Sequence, residues 1–97
     1  MTMPAYAIFI RDKTHDQAEL DAYGPKAQAS LAGHPVKILA AYGRQEVLEG
    51  PDVEGVVIVE FPTLEAAKEW YNSPAYTAAR QHRFKAGDYR VFLTEGL

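Results

Sequence analysis

The sequence predicts an α+β domain, a single β-sheet with helices packed on one face, and three observations carry that prediction. The first is the stretch Val56–Tyr76, VVIVEFPTLEAAKEWYNSPAY, which reads as a buried strand, a proline stop, a capped amphipathic helix and a second helix start at Ser73-Pro74. The second is the segment order along the chain, β-α-β-β-α-β. The third is that the strands are apolar on both faces although helices can cover only one.

Each element follows from local chemistry. Pro4–Arg11 (PAYAIFIR) is a β-forming run that Asp12-Lys13 is expected to end. Thr14 and Gln17 have the spacing of a capping box, which starts a helix carrying Leu20, Tyr23, Ala27 and Leu31 toward the core. Gly24-Pro25 interrupts that pattern, because proline lacks an N–H and clashes with the carbonyl four residues back; two short helices or one kinked helix are expected. Gly33 is placed to end it. Val36–Tyr42 is a second strand, continuing irregularly through Gln45–Leu48, and Glu49-Gly50-Pro51-Asp52 is a turn. Glu54–Phe61 is the third strand. Thr63 caps a helix over Leu64–Tyr71, and Ser73 with Pro74 at the first helical position starts another that runs to about Lys85. Gly87-Asp88 turns into a last strand, Tyr89–Thr94.

This order is the ferredoxin-like arrangement, an antiparallel sheet whose central first and third strands are expected to run parallel to one another. Right-handed crossovers place the helices on one face. Alternation puts Val57, Val59 and Phe61 on one side of the third strand and Val56, Ile58 and Glu60 on the other. Tyr6, Ile8 and Ile10 likewise oppose Ala7, Phe9 and Arg11, and Tyr89, Val91 and Leu93 oppose Arg90, Phe92 and Thr94. An open apolar face of that size is unusual on a monomer. A homodimer with the two sheets packed face to face is the expected way to cover it.

Composition narrows the function classes. Ninety-seven residues suit one domain, 1–97, and 47% hydrophobic with 24% charged residues is ordinary for a globular protein. A net charge of −3 gives no long-range pull toward nucleic acid or anionic membranes. Without cysteine there is no disulfide, thiolate catalysis or cysteine-ligated metal. The N-terminal MTMPAYAIFIR has no signal-peptide pattern and no apolar run reaches membrane-span length, so a cytoplasmic protein is expected.

GRQEVLEG (43–50), VVIVEFPTLEAAKEWYNSPAY (56–76), Arg83 and the closing LTEG (93–96) resemble the domain-of-unknown-function family numbered 1330. The resemblance spans Tyr6 to Gly96, and its most specific piece is Glu-Phe-Pro at the strand end, a helix ending in tyrosine, then Ser-Pro-x-Tyr. It implies membership of the dimeric α/β-barrel superfamily, and hence the same sheet and dimer. Ala41-Tyr42-Gly43 stands where the family carries Arg-Gly-Gly, so that arginine is missing or moved, with Arg44 the nearest substitute. His82 stands where an apolar residue is usual.

Among residues that can carry chemistry, Glu60 is the candidate catalytic group, a carboxyl near the end of a central strand on an otherwise apolar face. Such a setting tunes a general acid or base. Arg11, at the corresponding end of a parallel neighbour, would lie close, and a rim or interface salt bridge is the competing reading. Trp70, Tyr71 and Tyr76 cluster around the helix break as core packing, or as the aromatic lining of a ligand pocket to which Tyr6, Tyr23 and Tyr42 contribute. Arg83 and Arg80 can grip an anion in bidentate fashion, or lie on a solvated face paired with Glu65 or Asp88. Ligand binding is thus expected at Arg11, Trp70, Tyr76 and Arg83. His15, His34 and His82 fit no metal-ligand spacing, and no metal is expected.

Three functions compete. A cofactor-free enzyme acting on a small aromatic or enolic compound, with Glu60 as base and Tyr76 and Arg83 orienting the substrate, rests on analogy with superfamily members that include cofactor-free monooxygenases and a lactone isomerase. A non-catalytic dimer binding a small molecule or a protein predicts a pocket without convergent titratable groups. Haem handling, in other branches, resembles a pattern of asparagine on the first strand with tryptophan and histidine on the second helical segment. Trp70 and His82 are present, but PAYAIFIR has no asparagine. No cofactor is expected.

Overall fold

The computed structural model describes residues 3–97. Met1 and Thr2, the first two residues of the expected domain and of the segment read for a signal peptide, lie outside it. Strand β1 is Ala5–Thr14, helix α1 Gln17–Ala29, β2 Lys37–Ala41, β3 Gly55–Phe61, α2 Leu64–Tyr71, α3 Pro74–Ala86 and β4 Gly87–Glu95. The four strands form one sheet in the order β2-β3-β1-β4.

Every pairing is antiparallel, including the central one between β1 and β3, which corrects the parallel pair expected from the sequence. Side-chain alternation is the same for either direction, so it cannot supply the sense of a pairing. The register sets Ile8 opposite both Ile58 and Phe92, Ile10 opposite Val56, and Phe9 opposite both Val57 and Val91. The two faces are therefore as read. One buries Ala5, Ala7, Phe9, Val59 and Phe61 beneath the helices. The other presents Ile8, Ile10, Val56 and Ile58 half-buried and Phe92 exposed, and nothing among the described residues covers it.

The second half of the chain forms as its caps dictate. The Thr63 hydroxyl accepts from the Ala66 N–H and the Ser73 hydroxyl from the Tyr76 N–H, so each closes a first helical turn. The first half departs in three places. Asp16, not Thr14, caps α1 by accepting from the Glu19 N–H. Thr14 stays in β1, where its N–H and hydroxyl donate to the Glu54 carboxylate at 2.7 and 2.6 Å. Helix α1 runs through Pro25 as one element, fastened on one side by Tyr23 and ended on the other at Ser30, so the lost hydrogen bond does not break it. Gly33, at φ +80°, closes the turn after the helix rather than the helix itself.

Strand β2 stops at Ala41 because Tyr42 enters the left-handed region, φ 56°, and the expected continuation through Gln45–Leu48 is exposed loop. Strand β1 passes Asp12-Lys13 through an irregularity after Arg11, and Gly87-Asp88, expected as a turn, pairs with Thr14 and Lys13 as the start of β4. Gly87 is extended, so its need is room and not conformation. A Cβ there would land on the Lys13 carbonyl oxygen and 3.2 Å from the Thr14 Cα. Gly87→Ala is expected to destabilise the fold by about 1–3 kcal/mol, as overpacking does. A urea midpoint equal to wild type would show that the β1–β4 junction yields.

Candidate functional site

A cavity of about 170 Å³ lies between α1 and the covered sheet face. Phe9, Val57 and Val59 form its floor, Trp70 its back wall, and Tyr23, Ala27 and Leu31 its roof. It opens along the β2 edge, where Ile38 and Tyr42 are half-exposed. No carboxylate or imidazole is part of the lining.

Aromatic side chains build the wall. Trp70 lies with its ring centroid 4.1 Å from that of Tyr76 and 5.5 Å from that of Phe61, and its indole N–H donates to the Ser30 hydroxyl at 3.1 Å. Phe9 meets both Trp70 and Tyr76 edge-on. Tyr23 and Tyr76 share a buried hydrogen bond of 2.8 Å between their hydroxyls. Burial raises both phenol pKa values. For Tyr23 the Tyr76 phenol adds to the rise, whereas for Tyr76 the bond to Tyr23 and the charge of Arg83 oppose it.

Behind the Phe9 and Tyr89 rings, outside the lining of the cavity, stands Arg83 of α3. Arg83 is buried, with its guanidinium carbon 5.2, 5.1 and 5.9 Å from the ring centroids of Tyr89, Phe84 and Phe9. Its Nε and the Tyr89 hydroxyl are both buried without a hydrogen-bond partner. Tyr42 folds its ring over Gly55, where a Cβ would sit 2.9 Å from the ring, and Arg11 stacks on the same ring at 5.2 Å. Desolvation of the Tyr42 phenol, then the Tyr89 phenol beside it, push its pKa up to about 12.

The structure thus gathers Trp70, Tyr76 and Arg83 on one face and sets Glu60 on the other. Glu60 is opposite Tyr6 on β1 and Lys37 on β2, while Arg11 is opposite Gly55 at the far end of the sheet. The expected approach of Arg11 to Glu60 therefore does not occur, because the strands are antiparallel. Arg11 instead lies 3.8 Å from the Glu54 carboxylate. Tyr6 shares the Glu60 face; desolvation, then the Glu60 carboxylate, raise its phenol pKa. Tyr6 cannot line the cavity.

The other expectations resolve as follows. Arg80 pairs with neither Glu65 nor Asp88; it donates to the Tyr71 carbonyl oxygen at 2.9 Å and stacks on the Tyr71 ring. Asp88 binds His15 and Glu19 binds His82, fixing α1 to α3 in the second case. Among the described residues no group of three or more His, Asp and Glu side chains converges as a metal site. Arg44 is exposed, away from any wall of the cavity. Ser30 and Tyr89 had escaped the sequence reading. Tyr89 is foreshadowed by the alternation that sets it on one face of β4 with Val91 and Leu93, whereas nothing local marks Ser30 as the partner of Trp70.

Comparison with solved structures confirms the fold. A protein of unknown function from Rhodopseudomonas palustris is 22% identical, with a TM-score of 0.74 over 100% of this chain and 85% of its own. A dimeric, ferredoxin-like protein of unknown function from Bacteroides fragilis is 16% identical, TM-score 0.67, covering 96% of each chain. SnoaB, a cofactor-independent oxygenase from Streptomyces nogalater, is 13% identical, TM-score 0.67, covering 100% of this chain and 95% of its own. Among curated proteins none matches the sequence. Residues 4–97 match the domain of unknown function DUF1330, and with nearly the whole chain inside that match, the protein belongs to the DUF1330 family.

Proposed function

We propose that this protein is a homodimer, its two open sheet faces packed together, that binds a small aromatic or enolic compound in the helix–sheet cavity of each protomer. The observation that carries the ligand reading is the cavity itself. It is walled by aromatic rings and is close in size to the roughly 150 Å³ apolar cavities that take up benzene. The apolar open face and the dimeric state of the Bacteroides fragilis protein support the assembly.

Benzamide, a neutral ring with one polar substituent, is a suitable probe. Trp70 is the single tryptophan, so its indole N–H gives one resonance that reports on the cavity wall. Benzamide is expected to shift that resonance saturably. Glu60→Gln, on the opposite face, is expected to leave the dissociation constant unchanged within about twofold. An unmoved resonance at the solubility limit of the probe would overturn the ligand reading.

The second reading is turnover of an enolic compound without a cofactor, favoured by the likeness to SnoaB. With no carboxylate or imidazole in the lining, the cavity offers no side chain suited to take a proton near neutral pH, so this chemistry needs a substrate that ionises readily. Dioxygen uptake that depends on such a substrate and vanishes on filling the cavity would establish it.

A further inference from the structure

We infer that Tyr42 sets the size of what this cavity admits, its ring standing in the mouth as a gate that passes one aromatic ring and turns away two fused ones. The inference rests on the cavity reading above and adds the residue that limits it.

The backbone gives the first sign. Among the described residues Tyr42 is the one non-glycine with a positive φ, at 56°. Gly33 and Gly50 take positive φ freely, whereas a Cβ in the left-handed region crowds the neighbouring carbonyl. A turn at the end of β2 asks only for glycine or asparagine. A bulky tyrosine stays there when contacts beyond the turn hold it, and backbone strain of this kind gathers at ligand clamps and switch regions.

Those contacts are present. The Tyr42 N–H donates to the Val56 carbonyl oxygen at 3.0 Å, which ties the strained residue to β3. Its ring lies over Gly55, where a Cβ would come within 2.9 Å of two ring carbons, and the Arg11 guanidinium covers the ring at 5.2 Å from its centroid. Gly55 is outside the left-handed region, so its missing side chain serves as the seat of the ring. The Tyr89 phenol stands beside that of Tyr42. The ring is therefore held in place although the residue is half-exposed.

Position then assigns the role. The floor and roof of the cavity belong to the sheet and α1, whose residues pack into the core and cannot withdraw without undoing it. At the open edge stand Ile38, paired in β2 with Val59, and Tyr42, which lies past the end of that strand. Removing the Tyr42 ring lengthens the cavity toward solvent and leaves the floor intact. With the ring in place, the space of about 170 Å³ suits a single ring.

2-Naphthamide carries the polar group of benzamide on two fused rings. Its larger apolar surface favours it wherever there is room, so a preference for benzamide reports a size limit. By the Trp70 indole resonance, the wild type is expected to bind benzamide at least about tenfold more tightly than 2-naphthamide. Tyr42→Gly and Tyr42→Asn, both suited to the left-handed backbone, are expected to reverse that order. A second measurement needs no ligand. Gly55→Ala is expected to lower the urea midpoint of the wild type by crowding the Tyr42 ring, and to leave that of Tyr42→Gly nearly unchanged. Binding of 2-naphthamide by the wild type as tight as that of benzamide would overturn the size limit while leaving the cavity reading in place. A preference that survives both Tyr42 substitutions would overturn its assignment to Tyr42. A Gly55→Ala loss undiminished in Tyr42→Gly would overturn the seat, and the gate with it. If neither probe moves the resonance in any variant, the cavity reading falls and takes this one with it.

Discussion

Ile8→Asp is expected to convert the protein from a dimer to a monomer. Ile8 sits on a central strand of the open face, opposite Ile58 on one side and Phe92 on the other, so it occupies the middle of the proposed interface. In a two-fold assembly of like faces each substitution appears twice. An uncompensated buried charge costs about 3–5 kcal/mol, and two of them raise the dissociation constant by roughly 10⁴-fold or more. In the monomer the aspartate is solvated, so the fold itself has no reason to collapse. Leu48→Asp is the control, since Leu48 is 89% exposed in the loop after β2 and takes no part in that face. Light scattering coupled to size-exclusion chromatography reads the result. A dimer mass retained by Ile8→Asp would mean that the chain associates elsewhere, or that the apolar face stays open.

The parts of the fold legible in the sequence are those written locally. Thr63 and Ser73 announce their helices because a cap is a contact between a side chain and a backbone N–H three residues away. The two apolar faces are legible because alternation is geometry within one strand. The direction of β3 against β1 is not, since it depends on how distant segments meet. That one long-range fact separated Arg11 from Glu60 and removed the salt bridge that competed with the catalytic reading of Glu60.

Arg83 shows a different limit. Charged residues on helices are mostly solvated, yet Tyr76, Ala79, Arg83 and Ala86 are the buried residues of α3 and fall at the three-to-four spacing of a core-facing stripe. The signal of a buried cation was therefore present in the periodicity, in a residue whose type argued against burial. Arg80 lies off that stripe and stays half-buried. The Ser30–Trp70 bond spans 40 residues and leaves no local trace at all.

Trp70→Ala is expected to destabilise the protein by about 3–5 kcal/mol, the range for removing a large buried aromatic. Trp70 is 3% exposed and joins most of what holds the covered face together. It stacks on Phe61 of β3, lies against Tyr76 of α3 and meets Phe9 of β1 edge-on. Its N–H ties α2 to Ser30 at the end of α1, whose hydroxyl in turn donates to the Ala27 carbonyl oxygen. Trp70→Phe separates these contributions, because it keeps a ring in the stack and drops the hydrogen bond; about 1–3 kcal/mol is expected for it, with the Ser30 hydroxyl left buried beside an apolar edge. Denaturant unfolding gives both values. Since Trp70 is also the back wall of the cavity, the two variants link stability to binding: an enlarged cavity in Trp70→Ala should hold benzamide less tightly, while Trp70→Phe should hold it nearly as wild type does. If Trp70→Ala unfolds at the wild-type midpoint, α1 and α2 are held to the sheet by other contacts, and the aromatic wall serves the cavity alone.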